Sequence, residues 1–140
     1  RRSTNWDILC AMNTEWTDDM SKKLTNMERD VINKILEGDS ADLHYLRKQI
    51  EIATVKGRSF TGCGFYTYFA VPESAPPIPH KPDFHTGNIV ANVNELCYGA
   101  GFVLYIKGGI LDCLEAYTFD EPWPEKISGY SLHRTMKKKD

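Results

Sequence analysis

The segment Gly99–Phe119, GAGFVLYIKGGILDCLEAYTF, leaves the chain little choice of local structure. Two runs rich in aromatic, β-branched and leucine residues flank Gly108-Gly109, and runs of that kind suit a pleated, half-buried surface. A two-residue glycine loop fits a type I′ or II′ hairpin turn, because glycine reaches positive φ without steric cost. With Gly108 and Gly109 as the loop, Lys107 faces Ile110, Ile106 faces Leu111, Leu104 faces Cys113 and Phe102 faces Glu115. Alternation along the strands then gathers Phe102, Leu104, Ile106, Leu111, Cys113, Glu115 and Tyr117 on one face, which reads as the core. Val103, Tyr105, Asp112, Leu114 and Thr118 fall on the other. A carboxylate on a core face must find a partner or shift its pKa. Perturbed acids cluster at active sites, so Glu115 is the candidate acid or base. The alternative is that the strand twists outward near its end and Glu115 caps a loop or pairs with a tyrosine or arginine.

Ahead of the hairpin the periodicity is helical. Thr25-Asn26-Met27-Glu28 reads as a capping box, with Leu24 at the staple position before it. Met27, Val31 and Ile35, flanked by Ile32 and Leu36, form one apolar stripe, and Gly38 ends the helix. Asp39-Ser40 offers a second N-cap, and Leu43, Leu46, Ile50 and Ala53 predict a helix over about 41–52. The short link between them predicts an antiparallel or steeply angled pair.

Past Thr54 the pattern turns to strands. GFYTYFAV (64–71) alternates Phe65, Thr67 and Phe69 with Tyr66, Tyr68 and Ala70, and NIVANVNEL (88–96) alternates likewise. ATVKGRSF before them is a shorter strand or an irregular approach. Residues 71–87 hold five prolines, which cannot donate to a ladder, so the stretch reads as a long loop. The order α-α-β-β-β-β predicts an α+β fold, with two N-terminal helices packed on one face of an antiparallel sheet of about four strands. The expected domain is 24–130, with residues 1–23 as an N-terminal extension and 131–140 as a basic C-terminal tail. Trp6, Ile8, Leu9 and Trp16 would let that extension pack on the domain. Residues 1–11 are read as an appended stretch, with Met12 as a natural start. A removed signal peptide stays open as an alternative, since the first residue is not methionine.

Composition narrows the partners. Lys plus Arg is 17 against 19 Asp plus Glu, a net charge of −2 over 140 residues. Such a balance provides no electrostatic drive toward nucleic acid or an anionic membrane, and no apolar run reaches the roughly 18 residues of a transmembrane helix. Cys10, Cys63, Cys97 and Cys113 are too scattered for a zinc motif or a disulfide framework, which points to a reduced, cytoplasmic protein. No cofactor is expected.

His80, Asp83 and His85 lie close together in the proline-rich stretch, where imidazole and carboxylate could bind metal or assist acid–base chemistry. Their spacing matches no metal motif, and an exposed polar loop is the simpler reading. Cys63, between glycines, is read as a small buried residue rather than a nucleophile. Tyr66, Tyr68, Tyr98 and Tyr105 could form an apolar patch on the sheet face away from the helices, suited to a protein partner or a small ligand. Trp123, between Pro122 and Pro124, is held extended; it either folds back as a lid on the core or joins the binding surface.

The segments RSFTGCGFYTYFAVP, GAGFVLYIKGGILDCLEAYTF and EPWPE together resemble small uncharacterised bacterial proteins of the mobile accessory kind, including those of integron gene cassettes. The resemblance spans about Thr25–Glu125. It implies a bacterial, cytosolic, single-domain protein and carries over no catalytic residue. The expected function is therefore a small non-enzymatic accessory protein, immunity-like or an adaptor, that binds another protein or itself through an aromatic sheet face. The alternative is a small-ligand-binding protein or hydrolase, with a pocket between the sheet and the 71–87 loop, Glu115 as acid or base, and His80 or His85 assisting.

Overall fold

The computed structural model describes residues 23–135. The readings of residues 1–22, and of Lys137–Lys139 in the expected basic tail, lie outside the described residues.

The capping box forms as the sequence requires. The Glu28 N–H donates to Thr25 Oγ1 at 3.1 Å, and the Thr25 N–H donates to Glu28 Oε1 at 2.8 Å. Helix α1 follows over Asn26–Ile35 and ends at Leu36. Ser40 caps α2, Ala41–Ile52, by accepting from the Leu43 N–H at 3.2 Å. The Arg47 guanidinium reaches back across the short link to the carbonyls of Leu36 and Gly38, completing the C-terminal end of α1.

Six strands follow: β1 (Thr54–Phe60), β2 (Gly64–Ala70), β3 (Phe84–Val93), β4 (Ala100–Lys107), β5 (Ile110–Thr118) and β6 (Tyr130–Arg134). They form one antiparallel sheet in the order β1-β2-β5-β4-β3-β6. The fold is α+β, but the sheet has six strands rather than about four. ATVKGRSF is a full edge strand. The second addition, β6, crosses the expected boundary at residue 130: Tyr130–Arg134 pairs with β3 instead of starting a tail. The 71–87 stretch is also shorter as a loop than expected, because β3 begins at Phe84.

Gly108 and Gly109 form the β4–β5 turn, with φ of +60° and +77°, the signature of a type I′ loop. Beyond the turn the simple register fails. Ile106 faces Leu111 as expected, but Tyr105 faces Cys113, Leu104 faces Leu114, and Val103 faces Glu115. One extra residue, Asp112, is accommodated in a β-bulge. A bulge adds one residue to one strand only, so every side chain after it changes face. Leu111 and Leu114, three residues apart, are both buried as a result (2% and 0% exposed). A second bulge interrupts β3 between Thr86 and Ile89. Asn88 sits there at φ +60°, a conformation that asparagine tolerates better than most residues.

One buried cluster takes in Met27, Val31, Ile32 and Ile35 of α1, Leu46 and Ile50 of α2, and inward residues of the sheet such as Phe65, Phe69, Phe102 and Leu114. Three polar side chains are buried completely with it, Glu28, Gln49 and Thr67. Gln49 donates to the carbonyls of Pro76 and Gly109 and accepts from the Leu111 N–H at 2.9 Å, joining α2 to the proline-rich loop and the hairpin turn. That loop is fastened further by Ile78 N–H to Gly109 O and Gly109 N–H to Pro82 O, with Ile78 itself in the core. Among the described residues, no helix is long and apolar enough to cross a membrane.

Candidate functional site

The bulge in β5 decides where Glu115 stands. It is not on the core face with Phe102 and Leu104. It shares the opposite face with its cross-strand neighbours Tyr66 of β2 and Val103 of β4. Cys113 lies on the same face between Tyr68 and Tyr105, and Tyr117 lies opposite Gly64 and Gly101. The Tyr117 ring covers Gly101 so closely that a Cβ there would meet it at 2.4 Å.

Glu115 is partly buried and accepts from two phenols on either side. Tyr105 donates to Oε1 at 2.8 Å, and Tyr66 donates to Oε2 at 3.2 Å. Tyr68 lies beside Tyr66 with ring centroids 6.2 Å apart and planes only 15° from parallel. On the far side, His85 of β3 faces Tyr105 across the ladder, with its ring centroid 5.7 Å from the tyrosine's. A carboxylate of β5 thus sits within a collar of aromatic rings drawn from three other strands, β2, β4 and β3.

The collar sets the acid–base character of its members. The Tyr105 phenol is pushed up to about 12, first by its hydrogen bond to Glu115 and then by desolvation. Tyr66 is raised as well, by desolvation and then by the Glu115 charge. Burial pushes the Cys113 thiol up to about 11, with Asp112 adding to it and Lys107 opposing. These groups hold their protons at neutral pH. They donate hydrogen bonds; they do not offer a phenolate base or a thiolate nucleophile.

Other residues singled out from the sequence lie elsewhere. His80 is exposed in the turn before β3, at φ +71°. Asp83 accepts from the Gly108 N–H at 2.6 Å, which explains its place as a turn-fastening residue. Among the described residues, no three His, Cys, Asp or Glu side chains gather as a metal-binding group. Tyr98 is in the β3–β4 connection, 68% exposed, its N–H held by the Glu121 carboxylate at 2.7 Å. Trp123 is buried, edge-on to Phe65 at 5.2 Å and 88°, with its N–H donating to Gly62 O at 2.9 Å. It is a lid on the core, and its ring is unavailable to a partner. Cys63 is exposed and free, against the expectation that it is buried: its carbonyl, rather than its thiol, ties the turn by accepting from Thr118.

The fully buried acid is Glu28, which the sequence marks only as a helix cap. Arg58 of β1 donates to both its oxygens, at 3.0 and 2.7 Å, and the Thr67 hydroxyl of β2 donates to Oε2. Every partner of this carboxylate is internal, which marks it as structural. The signal for the true position of Glu115 was present in ILDCLEAYT, where two leucines three residues apart cannot both point inward from a regular strand.

No family model matches this chain, no curated protein matches it, and no solved structure matches it.

Proposed function

We propose that this protein is a small non-enzymatic binding protein that holds another protein on the tyrosine-lined face of its sheet. In this reading the two helices cover one face and leave the other as the working surface, and the bacterial accessory resemblance supplies a setting for such a role. The observation that carries it is the collar itself: Tyr66 and Tyr105 donating to Glu115, flanked by Tyr68 and His85. Tyrosine supplies large, rigid contact area with a polar tip, the combination enriched at protein interfaces. The charge balance of 17 basic against 19 acidic residues gives no support to a nucleic-acid surface.

A second reading, a small-ligand protein or hydrolase using Glu115, draws on the run of contacts His85–Tyr105–Glu115. Two features weigh against it. The phenols and the Cys113 thiol stay protonated, and the proline-rich loop is fastened to α2 and the hairpin turn through Gln49 and Gly109.

Native mass spectrometry of freshly purified protein tests the choice. A dimer that Tyr68→Glu dissociates supports the face as a protein interface. A monomer that carries a retained small molecule, and releases it on Glu115→Gln, favours the second reading.

A further inference from the structure

Charge is the unbalanced property of the collar. Glu115 is partly buried and receives two hydrogen bonds, both from neutral phenols. Among the described residues, no cation stands at ion-pair distance from it; the ion pairs there are Arg58–Glu28 and Arg134–Glu37. At the turn end of this face the Cys113 thiol is influenced by Asp112 and, more weakly and in the opposite sense, by Lys107. Glu28 shows what this protein does with a carboxylate that serves the fold: it surrounds it with a guanidinium, a hydroxyl and a backbone N–H. Glu115 lacks the cation and has aromatic rings in its place. Ring faces attract cations through their quadrupole, within about 6 Å of the ring centroid. A carboxylate and several tyrosine rings on one surface therefore favour the same kind of ligand.

We propose that Glu115, with Tyr66, Tyr68, Tyr105 and His85, is a binding site for an organic cation, namely the lysine or arginine side chain of the protein held on this face. This rests on the protein-binding reading above and names what the face recognises. The carboxylate supplies the counter-charge, and the rings supply cation–π and apolar contact to the alkyl stem. The two phenol hydrogen bonds keep the carboxylate oriented before the cation arrives, which reduces the ordering cost of binding.

The test is an NMR titration of the whole protein, following the ring signals of Tyr66, Tyr68, Tyr105 and His85. The probes are N-acetyl-lysine methylamide, N-acetyl-arginine methylamide, tetramethylammonium chloride and the uncharged N-acetyl-norleucine methylamide. The lysine or arginine probe is expected to shift these signals saturably, with a Kd of roughly 1–30 mM, as suits one exposed cation contact. The norleucine probe leaves them unmoved. Glu115→Gln, nearly isosteric, weakens binding at least about five-fold, while Tyr105→Phe, which keeps the ring and removes one orienting hydrogen bond, weakens it less than Glu115→Gln does. Absence of any shift at about 100 mM of every cationic probe overturns the proposal, since a competent cation–π site saturates well below that. So does equal affinity in Glu115→Gln. Tetramethylammonium binding about ten-fold tighter than both side-chain probes overturns the side-chain assignment in favour of a free quaternary ammonium. Failure here with a Tyr68→Glu-sensitive dimer would remove the cation and leave the interface standing. Cation binding with no protein partner would do the reverse.

Discussion

Glu28 and Glu115 are the same residue type in opposite circumstances, and the difference lies in their neighbours. Glu28 closes the capping box of α1 and also receives Arg58 and Thr67, with its side chain 1% exposed and that of Arg58 6%. Taking one member from a buried, hydrogen-bonded pair leaves the other charge uncompensated and costs about 3–5 kcal/mol. Glu28→Ala is therefore expected to lower stability by about that amount in urea unfolding, whereas Glu28→Ala combined with Arg58→Met recovers a good part of it. Additive losses in the double variant would show that the pair is not coupled. Glu115→Gln, on the exposed face, is expected to change stability by less than about 1 kcal/mol. The cap was readable in Thr25-Asn26-Met27-Glu28 because its partners are three residues apart. The buried pair was not, because Arg58 and Thr67 lie 30 and 39 residues away and nothing local points to them.

Between elements, the β5 bulge matters most. The Gly-Gly turn was legible, since positive φ at two successive positions demands glycine. The register beyond it was not, since one inserted residue reverses every face assignment that follows. The correction moves Glu115 and Cys113 to the face opposite the helices' core and Leu114 onto the core face, although Cys113 stays buried there. The bulge makes an unusual prediction. Deleting Asp112 would leave Leu111 inward, Cys113 outward, Leu114 inward and Glu115 outward, a regular strand in the same register. The deletion variant should therefore fold cooperatively, with a loss of no more than about 1–2 kcal/mol. Far-UV circular dichroism and urea titration check this. If the strand were regular in the native protein, the same deletion would reverse the native face of every residue after Leu111 and shift its pairing with both neighbouring strands, and the variant would fail to fold.

At the scale of the molecule, β6 and the collar join distant parts of the chain through tyrosine hydroxyls. Tyr130, on the outermost strand, donates to Asp30 of α1 at 2.7 Å, and its phenol is pushed up to about 12 by desolvation and by that carboxylate. Tyr105 binds Glu115 across the sheet and is raised to the same region. A tyrosine partner for Glu115 was among the readings of the sequence, but the Tyr130–Asp30 bond was not legible there, because the two residues are 100 apart and β6 has only five residues and little alternation. Linkage fixes the consequence. A group whose folded pKa lies above its unfolded value stabilises the fold fully below the unfolded pKa, and that contribution disappears as pH rises through the folded one. For tyrosines at an ordinary 10.0 raised to about 12, stability is flat below pH 10 and falls between 10 and 12. The Cys113 thiol, raised from 9.0 to about 11, begins the same decline a unit earlier. Urea unfolding measured at successive alkaline pH values should show this slope, and tyrosinate absorbance in the native protein should lag behind that of the unfolded chain. Tyr130→Phe should make the slope shallower by removing one of the linked protons, and a slope unchanged in Tyr130→Phe and in Tyr105→Phe alike would mean that neither phenol is coupled to folding.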